Sequence, residues 1–259
     1  MKIQLSFAAH VAFGGMHNLL DLPRPGFIIL AQGRTGSTFL ERLLNSHPSV
    51  RCEGEIFATH QTYPLSFITG KAAREYLLGR QWGFKAKHWQ ITCACKGMSG
   101  NEFLLQLQEK GWKIIYLHRE NLLKTAISTI IGMEREKWVY EQGDSYTSKP
   151  FVVDPGLIRA CIKSRKEQNQ EDQDFLKGIN YFLVKYEDSL KNYVDGSLEG
   201  LLDYLELERH PLVPSTVKTN GKSSTLELIS NWDELRDSVI EMVGHDMVQD
   251  VESELSALK

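Results

Sequence analysis

One short run, Gln32-Gly33-Arg34-Thr35-Gly36-Ser37-Thr38, gathers the residue types that an anion needs. Gly33 and Gly36 allow backbone conformations that aim several N–H groups into one concavity. Ser37 and Thr38 offer hydroxyl donors, and Arg34 offers a planar fork to phosphate oxygens. A helix opening at Ser37 adds roughly half a positive charge at its N-terminus. The same residues also suit a tight turn with an N-capping serine. The anion site is favoured because an apolar run precedes the turn and an amphipathic stretch follows it. A second set lies further on, in His118-Arg119-Glu120-Asn121 with Thr125 and Ser128 behind it. Arg119 and Ser128 together can hold a second phosphate. Arg119 can equally pair with a carboxylate, leaving Ser128 on a helix surface.

These residues need elements to hold them. Phe27-Ile28-Ile29-Leu30-Ala31 is a continuous apolar run after Pro25-Gly26 and predicts a strand buried on both faces. Phe39, Leu40, Leu43 and Leu44 recur at helical spacing, and Pro48 follows as a stop, so a helix is expected over 37–45. Further strands are expected at 50–56, 82–89, 113–117 and 181–186, with 91–95 extending the third or standing alone. Helices are expected at 103–109, 121–136, 157–177 and 198–207, and in two pieces at the end of the chain. Strands alternating with helices imply an α/β fold, a central parallel sheet flanked by helices, read here as a single domain over 1–259. Ligands of such sheets bind beyond the carboxyl ends of the strands. Both the loop at 32–38 and Arg119 fall there.

The chain has 259 residues, 42% hydrophobic and 24% charged, which excludes a disordered chain or a small disulfide scaffold. Its net charge of −3 supplies no overall basic field, so no nucleic-acid partner is expected and any anion site is local. Cys52, Cys93, Cys95 and Cys161 form no zinc-ligand spacing and read as reduced thiols. No apolar run approaches the roughly 20 residues that span a bilayer. Gln4 and His10 interrupt the apolar N-terminus, so it reads as mature protein and the location as cytoplasmic. The Walker pattern is absent, because the glycines at 33 and 36 are too close together. Gly221-Lys222-Ser223 ends like that pattern but follows no strand, and the dinucleotide fingerprint is missing.

Residues 27–38 resemble the 5′-phosphosulfate loop of the sulfotransferases that use 3′-phosphoadenylyl sulfate (PAPS). Residues 115–128 resemble their 3′-phosphate motif, with Arg119 after a strand and Ser128 on the helix behind it. Val184-Lys185-Tyr186-Glu187-Asp188 is similar to a third segment, whose tyrosine lies near the adenine. Asn45-Ser46-His47-Pro48 and Glu53-Gly54-Glu55-Ile56-Phe57 resemble the bacterial carbohydrate, Nod-factor-like branch. The resemblance spans residues 26 to about 235. It implies a P-loop-like sulfotransferase fold, PAPS as donor with no metal, and a carbohydrate or small-molecule acceptor. The better-known cytosolic branch has Lys where this chain has Arg34, and a different Arg-to-Ser spacing. Lys218, Gly221 and Lys222 map by position onto the family's late loop near the 3′-phosphate.

Sulfuryl transfer, like phosphoryl transfer, asks a protein mainly for positioning and charge stabilisation. Arg34 and the loop amides can take the charge growing on the leaving 5′-phosphate. Lys85 is a second cation candidate or a plain strand-end lysine. Resemblance to the bacterial branch makes Glu55 the first choice of general base. Glu53 stands two residues back on the same face of a strand, and paired carboxylates would raise one pKa. His88 is the rival base, by analogy with the cytosolic branch, while His47 reads as a helix-end histidine. Trp138, Tyr140 and Tyr146 either line an acceptor pocket or complete the core. Lys163, Arg165 and Lys166 read as a solvated helix face. Competing functions are a P-loop-like kinase using ATP, or a silent nucleotide-binding module.

Overall fold

The structure is a computed structural model that describes residues 25–59, 61–95, 97–136, 149–191, 193–213 and 225–256. It divides into two compact units, one of Met1–His118 with Asp172–Pro214, the other of Arg119–Glu171 with Ser215–Lys259.

The first unit is built on a five-stranded sheet in the order β2-β3-β1-β4-β5. The strands are β1 (Phe27–Ala31), β2 (Val50–Glu55), β3 (Gln81–Ala86), β4 (Lys113–His118) and β5 (Phe182–Lys185). All four pairings are parallel. Central β1 is buried along its whole length, as its unbroken apolar run requires. Its side chains alternate between two cores. Ile28 and Leu30 join Phe84, Ile114, Ile68 and Leu104 on one face. Phe27, Ile29 and Ala31 join Leu40, Leu43, Ile115 and Leu201 on the other. The chain goes from β1 to β2 and β3 on one side before crossing to β4 on the other, so a topological switch point lies at the carboxyl end of β1.

Between β1 and β4 this unit contributes α1 (Ser37–Asn45), α2 (Pro64–Leu77), α3 (His88–Ala94) and α4 (Gly100–Glu109). Helix α1 spans the predicted residues and buries Leu40, Leu43 and Leu44. Helix α4 starts at a capping box, in which the Glu102 N–H donates to Ser99 Oγ and the Ser99 N–H to Glu102 Oε2.

Two elements depart from the sequence reading. The third strand stops at Ala86, and 88–94 is helix α3, so Cys93 and Cys95 do not lie on a strand. Gln90 Oε1 accepts the Lys87 N–H at 2.9 Å and closes the first turn. A helix of seven residues spans less than two full turns, too short for its period to stand out. Helix α2 has no counterpart in the sequence reading. Gly70 and Thr69 in its middle look like breakers, yet both are buried beside Ile68, Ala72 and Ala73, where small side chains let the helix lie close to the sheet.

The second unit is helical. Asn121 caps α5 (Leu122–Glu134) by accepting the Lys124 N–H at 2.9 Å, and its amide donates to Asp250 Oδ2 at 2.7 Å. Leu123, Ile127, Ile130, Ile158, Ile162, Leu235, Val239, Val248 and Val251 form one core. The contributing helices are α5, α6 (Pro155–Phe175), α8 (Trp232–Val243) and α9 (His245–Ser256), while α7 (Glu199–Tyr204) belongs to the first unit. Lys166 is not simply solvated, since its ammonium donates to the Met242 carbonyl at 2.6 Å. No helix of the described residues is long and apolar enough to cross a membrane.

Candidate functional site

In the first unit the candidate residues gather along the carboxyl edge of the sheet. The loop leaving β1 turns through two left-handed residues, Arg34 at φ 67° and Gly36 at φ 94°. Positive φ therefore falls on Arg34, and not on Gly33 as the glycine pattern implies. The Thr35 hydroxyl ties the turn together by donating to the Gln32 carbonyl at 2.7 Å. Glycine is required at 36, where an added Cβ would stand 2.8 Å from the Tyr186 ring. A Cβ at Gly33 would meet nothing within 4 Å, so the loop presents open space there. Gly36 then caps α1, whose first residues are Ser37 and Thr38. A glycine-bearing turn feeding a helix N-terminus is a cradle for a phosphate-like group, and this one fits.

Lys85 reaches the same loop from β3. Only 9% of the residue is exposed. Its ammonium donates to Thr38 Oγ1 at 2.8 Å and lies 2.8 Å from Glu41 Oε2 on α1. Lys85 is thus a cation held against the loop, not an exposed strand-end lysine.

Glu53 and Glu55 do not act as a pair. A register shift in β2 sets Glu53 beside Phe84 and Glu55 beside Lys85. Glu53 accepts from Lys71 at 2.8 Å and from the Trp82 indole at 3.2 Å. Glu55 instead accepts from Gln90 Nε2 at 2.6 Å and Lys87 Nζ at 3.1 Å. Burial pushes the Glu55 carboxyl up, but the Gln90 and Lys87 hydrogen bonds and the Lys87 and Lys85 charges outweigh it. Its pKa therefore lies below the ordinary carboxylate value, the reverse of the rise expected from a carboxylate pair.

His88, the first residue of α3, is committed at Nδ1. Asp172 Oδ1 lies 2.8 Å away, and Gln32 Nε2 lies 3.1 Å away. Gln32 Nε2 also donates to Asp172 Oδ1 at 2.6 Å. Neither Gln32 nor Asp172 was singled out by sequence reasoning. Asp172 carries a signal nonetheless, since it falls at helical spacing on the stripe of Ile158, Ile162 and Leu176. A carboxylate on an inward stripe marks a polar duty. Tyr116 on β4 faces the same group. Burial, then the Asp172 charge, drives its hydroxyl pKa well above the ordinary value.

His47 is structural, as expected. The Ser49 N–H donates to its Nδ1 at 3.1 Å, so its Nε2–H donates to the Glu208 carbonyl at 2.9 Å. Arg119 and Ser128 belong to the second unit, at the start of α5 and on its body. Lys218, Gly221, Lys222, Trp138, Tyr140 and Tyr146 lie outside the described residues. A cavity of about 590 Å³ opens at the opposite edge of the first unit, among Pro25, Ser49, Gln81 and Trp82 before and at the strand starts, and contains none of the candidates. The four cysteines are free thiols. Burial pushes the Cys95 thiol up to about 12.

A family model described as "Sulfotransferase family" matches residues 25–112, which hold the loop, Glu55, Lys85 and His88. Nodulation protein H of Rhizobium meliloti is 27% identical over 228 residues, covering 83% of this chain and 90% of that protein. Nodulation protein H of Rhizobium tropici is 25% identical over 230 residues, covering 85% and 91%. Among solved structures, a sulfotransferase domain from the curacin biosynthetic pathway aligns with a TM-score of 0.46 at 16% identity, over 90% of this chain and 98% of that one. A mouse sulfotransferase complexed with PAP aligns with a TM-score of 0.44 at 12% identity, over 80% and 66%. Over residues 25–112 the chain is similar to the sulfotransferase family, and over most of its length it is similar to the bacterial nodulation proteins H.

Proposed function

We propose that this protein moves a sulfuryl group from PAPS to a hydroxyl of a carbohydrate or small-molecule acceptor. The observation that carries the reading is the meeting of Lys85 with Thr38 at the mouth of the loop. A buried cation held beside an anion cradle, at a switch point of a parallel sheet, suits a leaving phosphate.

PAPS, when bound, supplies the activated sulfuryl group. The loop amides from Gly33 to Thr38 and the Arg34 guanidinium hold the 5′-phosphate side, and Lys85 adds its charge there. By the family resemblance, Arg119 and Ser128, with Lys218, Gly221 and Lys222 outside the described residues, are assigned to the 3′-phosphate, and Tyr186 to the adenine. The Glu55 carboxylate accepts the acceptor's hydroxyl proton. It stays ionised at neutral pH because Lys87 and Gln90 hold its pKa down. The acceptor oxygen then bonds to sulfur as the bond from sulfur to the phosphate oxygen breaks. No metal has a role in this scheme. The nodulation protein H relatives support a carbohydrate-like acceptor.

The test is a panel of acceptors incubated with ³⁵S-labelled PAPS, beside thermal-shift binding of PAP and ATP. Labelled product and stabilisation by PAP are expected. Stabilisation by ATP and none by PAP overturns the reading in favour of a kinase.

A further inference from the structure

We propose that Asp172 is a positioning residue that braces the anion-binding loop through Gln32 and His88, an inference resting on the reading that this loop takes the 5′-phosphate of the donor. Asp172 is 1% exposed and Gln32 5%. Asp172 Oδ1 accepts from Gln32 Nε2 at 2.6 Å and from His88 Nδ1–H at 2.8 Å. The Gln32 carbonyl in turn accepts from the Thr35 hydroxyl at 2.7 Å. Gln32 is therefore pinned at both its side chain and its peptide group, at the point where the loop leaves β1.

The loop needs such a pin. Arg34 holds a left-handed φ of 67°, a conformation that persists in a non-glycine residue only where its surroundings over-determine it. The Tyr186 ring backs the far end of the turn at Gly36. Asp172 and Gln32 fix the near end. Hydrogen bonds to an ionised carboxylate are about twice as strong as neutral ones. The Tyr116 hydroxyl faces the same carboxylate from β4.

The experiment compares PAP with adenosine 3′-monophosphate, which lacks the 5′-phosphate, on wild type, Asp172→Ala and Asp172→Asn. Loss of charge-assisted hydrogen bonds should weaken PAP binding by Asp172→Ala about tenfold or more. Affinity for the 3′-monophosphate should stay within about twofold, because the brace acts only on the loop. Asp172→Asn keeps an oxygen acceptor but not the charge, and should recover part of the loss. Amide hydrogen exchange of residues 33–38, measured without nucleotide, should quicken in Asp172→Ala by about tenfold. Equal loss of both nucleotides, or unchanged exchange in the loop, overturns the brace. If Asp172→Ala does not fold, Gln32→Ala cuts the same link and carries the same readouts. If wild type binds neither nucleotide, the donor assignment falls, and the exchange rates alone decide the brace.

Discussion

Lys85 Nζ donates to Thr38 Oγ1 across 2.8 Å, joining the end of β3 to the first turn of α1. The same ammonium is 2.8 Å from Glu41, so the cation enters the site already oriented. Preoriented charge is the most effective kind, because nothing has to reorganise as the leaving group forms. Lys85→Met keeps most of the side chain's reach and removes the charge. It should lower kcat by roughly 10²-fold or more, in line with loss of a single transition-state donor. Steady-state kinetics with PAPS checks this, and an unchanged kcat removes Lys85 from the chemistry.

Arg34 offers a test of strain against function. Its φ of 67° costs a non-glycine residue on the order of 1 kcal/mol or more. Arg34→Gly relieves that strain while deleting the guanidinium. Melting temperature should hold or rise by a few degrees, and PAP affinity should fall by roughly 10–100-fold. A fall in both would show that the Arg34 side chain supports the fold itself.

Glu55 has its pKa lowered in the folded chain, so folding favours its ionised form. The stability it contributes is present above the ordinary carboxylate value of about 4.3 and is lost as pH falls through the lower folded value. With Glu55 as base, the acid limb of kcat/KM should lie below about 4.3. Glu55→Gln should cut kcat by roughly 10²–10⁴-fold and leave PAP affinity nearly unchanged. A mild Glu55→Gln phenotype beside a severe His88→Gln one transfers the role to His88.

With Arg119 proposed at the 3′-phosphate, its loss should matter only for nucleotides that carry one. Arg119→Ala should weaken PAP by roughly 10–100-fold and leave 5′-AMP within about twofold. Calorimetric titration of both nucleotides against both proteins decides it. Equal weakening of PAP and 5′-AMP places Arg119 elsewhere.

Several features could be read before any coordinates. The apolar run at 27–31 pointed to a strand covered on both faces, and it is one. The spacing of Leu40, Leu43 and Leu44 set the helix that the loop feeds. Both follow from local periodicity, which each segment carries within itself. Helices α2 and α3 did not show, because one buries small residues that resemble breakers and the other is shorter than two full turns.

The residue types at 32–38 therefore pointed to an anion site, and the order of strands and helices pointed to the carboxyl edge of the sheet. The sequence could not say which glycine turns the loop, that β2 slips between Glu53 and Glu55, or that Asp172 lies beneath Gln32, 140 residues away. Those are pairings between distant segments, and a side chain's partner, burial and pKa exist only once the sheet has brought the segments together. Chemistry is carried by residue type, whereas orientation comes from contacts that no local pattern encodes.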